Sequence, residues 1–274
     1  MQNCKKVTNW FLANKMAVNT SKTKYIIFRS HGKPVNDDHL KVVFNSNEIG
    51  TANIQSNIFN IERISNNSVT KSFKLLGILL DEYLSFDAHV NMLCSKISKS
   101  LYIINRVKNF LPRSSLISLY YALIHSNLTY CSSIYGCAHK TSLNKLFIKQ
   151  KKAIRHISKS TAHAHTMPLF KELGILPLEQ LVTMSQLKFM HNFNSNKLPL
   201  SFANMWITNR ARNPQVNLRN AADLHVPTHT LESLKRMPLF TFPIKWNEEC
   251  PAKLNPICKS YTKSLKKKLL DNLV

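Results

Sequence analysis

Apolar positions change their spacing about a third of the way along the chain. Up to residue 85 they fall in short runs rich in β-branched and aromatic residues, such as Thr23–Phe28, which are typical of strands. From Val90 onward they recur every three or four positions, as they do in amphipathic helices. The pattern predicts a mixed α+β segment over residues 1–85, followed by a mainly α-helical segment.

The first segment is predicted to hold one helix and several short strands. The helix extends from about Lys5 to Met16, and Thr23–Phe28 follows it as a strand. Two further short strands are expected at Leu40–Phe44 and around Glu48. The mostly apolar run Phe73–Leu80 predicts one buried strand.

The second segment is predicted to be a bundle of helices that ends in a less regular region. Proline and serine residues separate the periodic stretches, and the expected helices are about Asp87–Leu111, Leu116–His125, Leu143–Ile157, Leu178–Phe193 and Ile257–Leu270. Residues 195–240 lose the periodicity, which favours a linker or an extended wrap. The aromatic cluster at 238–246 is expected to dock on the core. These features divide the chain into residues 1–85, 86–194 and 195–274.

The charge of the chain indicates a polyanionic partner. Lys and Arg number 38 against 14 Asp and Glu, a net charge of +24, and such a surplus attracts nucleic acid first and an anionic membrane surface second. From Ala88 to Lys171 there is no Asp or Glu at all. Because a surface adapted only for solubility mixes both signs, this interval favours a phosphate-facing surface. Drift in a basic, degenerate sequence is the alternative.

One helix separates its charged and apolar residues clearly. Over Leu143–Ile157 the apolar side chains share one face at about 100° per residue. The opposite face and its flank carry basic side chains: Lys145, Lys149, Lys151, Lys152, Arg155, His156 and Lys159. A basic stripe on an anchored helix can track phosphates, whereas a simply solvated helix face is the alternative.

Several chemistries are poorly supported by the sequence. The only Asp-Asp pair, Asp37-Asp38, has no aromatic residue before it and no strand leading into it, so we do not expect it to bind catalytic metal ions. The cysteines lack the spacing of a zinc site. His163 and His165 fit a surface loop better than a metal clamp, and five glycines leave no Gly-rich phosphate loop. The sequence alone does not describe a complete enzyme.

Compartment and membrane association follow from composition. No run approaches the roughly 18 apolar residues of a membrane-spanning helix, and the start of the chain lacks the apolar core of a signal peptide. Six unpaired-looking cysteines suggest reduced thiols. We therefore expect an intracellular protein, nuclear or cytoplasmic and not secreted, without a membrane partner. Binding to a membrane surface is the weakest of the readings, because the stripe opposite the basic face is typical of a core.

Several phrases, in order, resemble the reverse transcriptases of non-LTR retrotransposons of the jockey-like kind. Trp10 to Thr23 is similar to that family's Trp-x3-Asn-Lys-Leu-x-x-Asn-x-x-Lys-Thr segment. Lys74 to Asp81 resembles its Leu-Gly hairpin, and Leu84 to Val90 the continuation of that hairpin. The remaining phrases resemble its helical extension and closing segment: Gln150–Arg155, Leu173–Leu178, Phe242–Asn247 and Lys263–Leu270.

The resemblance implies the C-terminal part of a polymerase: a palm remnant, then a helical thumb that binds the RNA/DNA template–primer duplex without sequence preference. It implies that the catalytic aspartates precede Trp10 and lie outside this chain, and that the missing upstream part of the polymerase is a partner. Mg²⁺ is then expected only for the full-length family enzyme, and no cofactor for this chain. Leu76 and Gly77 would approach the primer end, and Lys22 would lie beside the nucleotide-facing palm edge.

By the same resemblance, Lys145, Lys149, Lys152, Arg155 and Lys159 would lie on the thumb and meet duplex phosphates. The alternative function is a non-enzymatic, basic helical module that binds nucleic acid.

Overall fold

The computed structural model describes most of the chain, in two compact units that span Met1–Ser85 and Phe86–Val274. Statements about the structure refer to residues 10–11, 13–16, 19, 22–32, 43–45, 58–66, 68, 70–216, 219–228, 234–249 and 261–273. Most of these residues are helical, and the strands are few and short. The fold is therefore compatible with an α+β segment followed by a helical one.

Strands of the first unit pair two by two. They are β1 (Lys24–Ile26), β2 (Val43–Asn45), β3 (Ile58–Asn60), β4 (Glu62–Ile64), β5 (Phe73–Leu75) and β6 (Ile78–Leu80). β1 lies parallel to β4, whereas β2 with β3 and β5 with β6 are antiparallel. Ile64 and Ile78 are buried, so the apolar runs of this unit do form strands that contribute to a core.

The first unit corrects two predictions. Phe73–Leu80 is a hairpin and not a single strand, because Leu76 and Gly77 both have positive φ, 46° and 87°, and make a two-residue turn. The prediction of a buried strand is wrong for β5, all of which is exposed. β2 pairs with β3, while the partner expected around Glu48 lies outside the described residues. So does half of the predicted helix at Lys5–Met16, in which residues 10, 11 and 13 are helical.

A buried ion-pair cluster lies at the end of the β5–β6 hairpin. The Glu82 side chain has no exposed surface, and Arg29 Nε donates to its Oε2 at 2.9 Å. Arg63 Nη2 lies 3.6 Å from the same oxygen, and the backbone N–H of Asn66 donates to Oε1 at 2.9 Å. The carboxylate thus connects three separate segments of the first unit.

Helices build the second unit. They are α1 (Asp87–Val107), α2 (Arg113–Tyr120), α3 (Ser126–Thr129), α4 (Ser132–Tyr135), α5 (Lys140–Ile157), α6 (Thr166–Glu172), α7 (Leu178–Asn194), α8 (Asn209–Arg212), α9 (Pro238–Glu249) and α10 (Tyr261–Asp271). A π-helical turn, Tyr121–His125, continues α2 into α3. Pro112 and Pro177 occupy the N-cap positions of α2 and α7, where the missing N–H costs nothing.

The predicted apolar stripes form the core of this unit. Every third or fourth residue of α1 from Val90 to Ile104 is buried, and so are Leu146 and Ile154 of α5. α1 ends at Val107, four residues before the predicted end at Leu111. The helices therefore follow the periodicity, while their ends are set by local turns.

The region after α7 is irregular but packed. Trp206, Leu224 and Phe242 are buried together with Met190 of α7, and Trp206 Nε1 donates to the Leu239 carbonyl at 3.0 Å. The aromatic cluster at 238–246 therefore docks on the core as predicted, on a helix that contains Pro243. An exposed linker would leave the side chains of Trp206 and Leu224 in solvent, whereas both are buried. The described residues between 195 and 240 therefore fit a wrap that packs on the core better than they fit a linker.

Candidate nucleic-acid interface

α1 and α5 lie side by side and run in the same direction. Ser142 Oγ, in the first turn of α5, hydrogen-bonds to Asp87 at the start of α1. Further along both helices, Lys149 Nζ donates to Ser98 Oγ at 2.6 Å. Because the contacts follow the same order on the two helices, α1 and α5 are parallel and share one solvent-facing seam.

A buried hydrogen-bond network anchors α5 on the opposite side. Gln150 has no exposed surface, and its Nε2 donates to Tyr120 OH and to the Leu176 carbonyl, both at 2.9 Å. Burial raises the pKa of Tyr120, although the Gln150 hydrogen bond opposes this shift. These two hydrogen bonds from one buried amide nitrogen join α5 to Tyr120 and Leu176, which favours one rotation of the helix and one orientation of its charged face.

Three of the predicted basic residues are exposed on that face. Lys145 and Lys152 lie on α5, and Lys159 follows its end. Among the residues that the structure describes, none of the carboxylates is within ion-pair distance of these three ammonium groups. They are available to an external anion.

The other two predicted residues of the stripe are partly engaged. Lys149 is half-buried because its ammonium group donates to Ser98. Arg155 Nε donates to the Ala164 carbonyl at 3.1 Å, which ties the loop after α5 to the helix. Lys149 still lies at the seam, as the pKa of Cys94 indicates: burial raises it, and Lys149 and Lys145 both oppose this shift. The Arg155 side chain therefore stabilises the loop after α5 through this hydrogen bond.

Two further side chains of the predicted stripe, His156 and Lys151, are partly covered by the protein. Burial lowers the pKa of His156, and Lys108 and Lys152 lower it further, so this imidazole is neutral at neutral pH. Lys151 Nζ lies 4.3 Å from the centre of the Phe147 ring and covers an apolar side chain. Fewer basic side chains of α5 are therefore exposed and without an intramolecular contact than the sequence suggests.

The remaining predicted site residues belong to the first unit. Lys22 is exposed, and its backbone N–H donates to Asn19 Oδ1 at 3.2 Å. Leu76 is 83% exposed at the tip of the β5–β6 hairpin, next to Gly77.

Sequence reasoning missed the contribution of α1 to this surface. Lys99 and Arg106 are exposed, and Lys108 lies near His156. All of these residues lie in the interval from Ala88 that contains no Asp or Glu. The feature of the sequence that could have indicated them is therefore this charge pattern and not a motif.

Candidate metal ligands are scattered in the described part of the chain. No three His, Cys, Asp or Glu side chains within it are grouped so that they could hold a metal ion, so its residues do not fit the two-metal site of a polymerase. Asp37 and Asp38 lie outside the described residues. Cys94, Cys131 and Cys137 are free thiols, and none of the described helices is long and apolar enough to cross a membrane.

Two curated fruit-fly proteins are similar to this chain, and both are described as the RNA-directed DNA polymerase from mobile element jockey. The protein of Drosophila funebris is 24% identical over 169 residues, and that of Drosophila melanogaster is 27% identical over 171 residues. The chain is related to non-LTR retrotransposon reverse transcriptases. The resemblance that the sequence motifs carry is thus confirmed.

The similarity to these reverse transcriptases is partial in extent. Each match covers 60% of this chain and 18% of the relative, so the chain spans less than a fifth of the polymerases it matches. No family model matches the chain, and no solved structure matches it.

Proposed function

We propose that this chain is part of a retroelement RNA-directed DNA polymerase and that residues 86–194 act as its thumb, binding the template–primer duplex of RNA and DNA. The observation that carries the proposal is the parallel α1–α5 pair, which presents Lys145, Lys152 and Lys159 to solvent beside Lys149. In water, unpaired ammonium groups on a rigid helix favour a polyanion.

The spacing of these lysines suits a nucleic-acid strand. Lys145 and Lys152 are seven residues apart, which is about 10 Å along a helix, so both can contact phosphates of one strand of a duplex. Ammonium groups contact phosphate oxygens and carry no base information. Binding through this surface is therefore independent of sequence and sensitive to salt.

We assign residues 1–85 to the end of the palm, with the β5–β6 hairpin near the primer end. Support comes from the tip of that hairpin, where Leu76 is exposed and Gly77 adopts positive φ. A glycine turn lets a ligand approach the backbone closely. In this proposal Lys22 lies beside the same palm edge, where its exposed ammonium group would contact nucleotide phosphates.

These 274 residues alone are proposed not to incorporate nucleotides. Nucleotide addition needs carboxylates that hold two divalent ions about 4 Å apart. The sequence contains a single adjacent Asp pair, Asp37-Asp38, preceded by Asn36 and not by an aromatic residue. Primer extension by the purified chain with Mg²⁺ and deoxynucleotides tests this proposal. A labelled product would overturn it and leave the duplex-binding proposal in place.

Charge reversal on the proposed thumb face tests duplex binding. The double variant Lys145→Glu/Lys152→Glu is compared with Lys197→Glu/Lys263→Glu, which changes the net charge equally at exposed positions elsewhere in the second unit. Fluorescence anisotropy with a labelled, blunt RNA/DNA hybrid measures affinity. We expect at least a tenfold loss for the first variant and less than about threefold for the second.

Circular dichroism confirms that both variants remain folded. Equal losses in the two variants would show that net charge alone matters, which favours the alternative of a basic module without a thumb surface. No binding by the unmodified chain at low salt would overturn the proposed function itself.

A further inference from the structure

Exposed aromatic side chains cluster at the C-terminal end of α1. Tyr102 is 61% exposed, and Phe110, just past the helix, is 86% exposed. Between them Asn105, Arg106 and Asn109 are also exposed. We call these five residues the aromatic stripe. A large ring that packs against so little protein contributes little to folding, and most of its surface is open to a ligand.

Arg106 holds the first ring of the stripe in place. Its guanidinium carbon lies 5.4 Å from the centre of the Tyr102 ring, and its Nε donates to Tyr102 OH at 3.1 Å. The two side chains therefore contact each other on the helix surface. Planar aromatic and guanidinium groups are the ones on which nucleobases stack.

The stripe continues the basic seam between α1 and α5. At about 100° per residue, Tyr102 lies about 40° and Arg106 about 80° around the α1 axis from Ser98, the residue that accepts from Lys149. Lys108, between Arg106 and Phe110, lies near His156, as does Lys152. The lysine that follows α1 and a lysine of α5 thus lie near the same imidazole, so a strand bound to the lysines of α5 can continue to the stripe.

The composition of the stripe favours nucleic acid over protein. Amides and a guanidinium alternate with the rings, and no Asp or Glu occurs between Ala88 and Lys171. A second copy of the chain would bring another charge of +24 against the same surface, which repulsion disfavours. Two rings also offer much less apolar area than a stable protein interface buries.

We propose that the aromatic stripe binds unpaired bases of a single strand that extends from the duplex held on α5. Tyr102 and Phe110 stack on bases, Arg106 supports the first of these rings, and the amides of Asn105 and Asn109 hydrogen-bond to base edges. The inference rests on the proposed function for the duplex, but the stripe itself requires only a single strand next to cationic side chains.

Three labelled probes test this proposal: a blunt RNA/DNA hybrid, the same hybrid with a single-stranded RNA overhang of roughly ten nucleotides, and the RNA strand alone. We expect the overhang to tighten binding by about tenfold. Tyr102→Ala/Phe110→Ala should abolish this gain and leave the affinity for the blunt hybrid unchanged. Tyr102→Phe should retain the gain, since the ring remains.

Leu200→Ala serves as a matched control, because Leu200 is an exposed apolar residue elsewhere in the second unit. Equal affinity of the unmodified chain for blunt and overhanging hybrids would overturn the proposal. So would a change of oligomeric state in Tyr102→Ala/Phe110→Ala, measured by sedimentation, without loss of the overhang gain. Binding of the single strand without binding of the blunt hybrid would instead overturn the proposed function and retain the stripe.

Discussion

At the scale of single residues, the buried carboxylate of Glu82 supports the first unit more than any surface charge does. Burial raises the pKa of Glu82, but the hydrogen bonds from Arg29 and from the Asn66 N–H outweigh this effect, so that its pKa lies below the usual value. We expect Glu82→Gln to lower the free energy of unfolding by about 3 kcal/mol, because a buried charge partner is removed and Arg29 and Arg63 lose their counter-ion.

The same carboxylate predicts a pH dependence with a defined sign. Because its pKa is lower in the folded state, the stabilisation is complete above the unfolded value of about 4.3 and is lost as pH falls through the folded value. Urea denaturation at pH values between 7 and 3, with hydrogen exchange in β1 and β4 as the readout, measures this loss of stability. Glu62→Gln is the control, since Glu62 is an exposed partner of Lys24 and its loss should change little. An equal acid response in Glu82→Gln and the unmodified chain would contradict the prediction.

The sequence predicted on which face of a helix each candidate site residue lies, but it did not predict which atoms that residue contacts. Periodicity placed Lys145 and Lys152 on the side opposite the core, and both are exposed. It could not show that Lys149 donates to Ser98 or that Arg155 donates to the Ala164 carbonyl, because these acceptors lie on other segments. A helical pattern gives the direction of a side chain and leaves its partner open.

At the scale of elements, Gly136 decides how closely α4 approaches α7. A Cβ there would lie 2.4 Å from Val182 Cγ1 and 2.5 Å from the Ser132 carbonyl oxygen. We expect Gly136→Ala to lower the free energy of unfolding by about 2 kcal/mol through overpacking. Urea denaturation of the second unit, monitored by the fluorescence of Trp206 and Trp246, measures the change in the free energy of unfolding.

Gly174 provides the control for that substitution. Nothing lies within 4 Å of its added Cβ, but its φ is +61°, a conformation that Asn tolerates. Gly174→Asn should therefore cost much less than Gly136→Ala. Similar losses in the two variants would show that the close approach of α4 and α7 adjusts freely.

Helices were predicted better than strands for a physical reason. An apolar stripe that repeats over about twenty residues, as in α1, fits the helical period of 3.6 residues and no other. A run of three to five apolar residues fits a buried strand and one half of a hairpin equally well. Phe73–Leu80 shows this: Leu76 and Gly77 divide it into β5 and β6. The pairing of β2 with β3 depends on long-range contacts that local propensity does not contain.

At the scale of the whole molecule, the net charge of +24 gives salt two opposite effects. Like charges repel one another in the folded chain, and salt screens this repulsion. Salt also weakens binding to phosphates, because the counterions that binding releases gain less entropy when they enter a more concentrated salt solution. Raising NaCl from about 50 to about 500 mM should therefore increase the melting temperature of the free chain and reduce its affinity for an RNA/DNA hybrid.

The variants of the proposed thumb face separate these two effects. Lys145→Glu/Lys152→Glu and Lys197→Glu/Lys263→Glu each reduce the positive charge equally, so both should flatten the rise of the melting temperature with salt. Only the first should lower the slope of log affinity against log salt, by about two, since only its lysines are proposed to meet phosphates. An unchanged slope in the first variant, with hybrid binding retained, would place the phosphate contacts on other lysines and arginines of the chain.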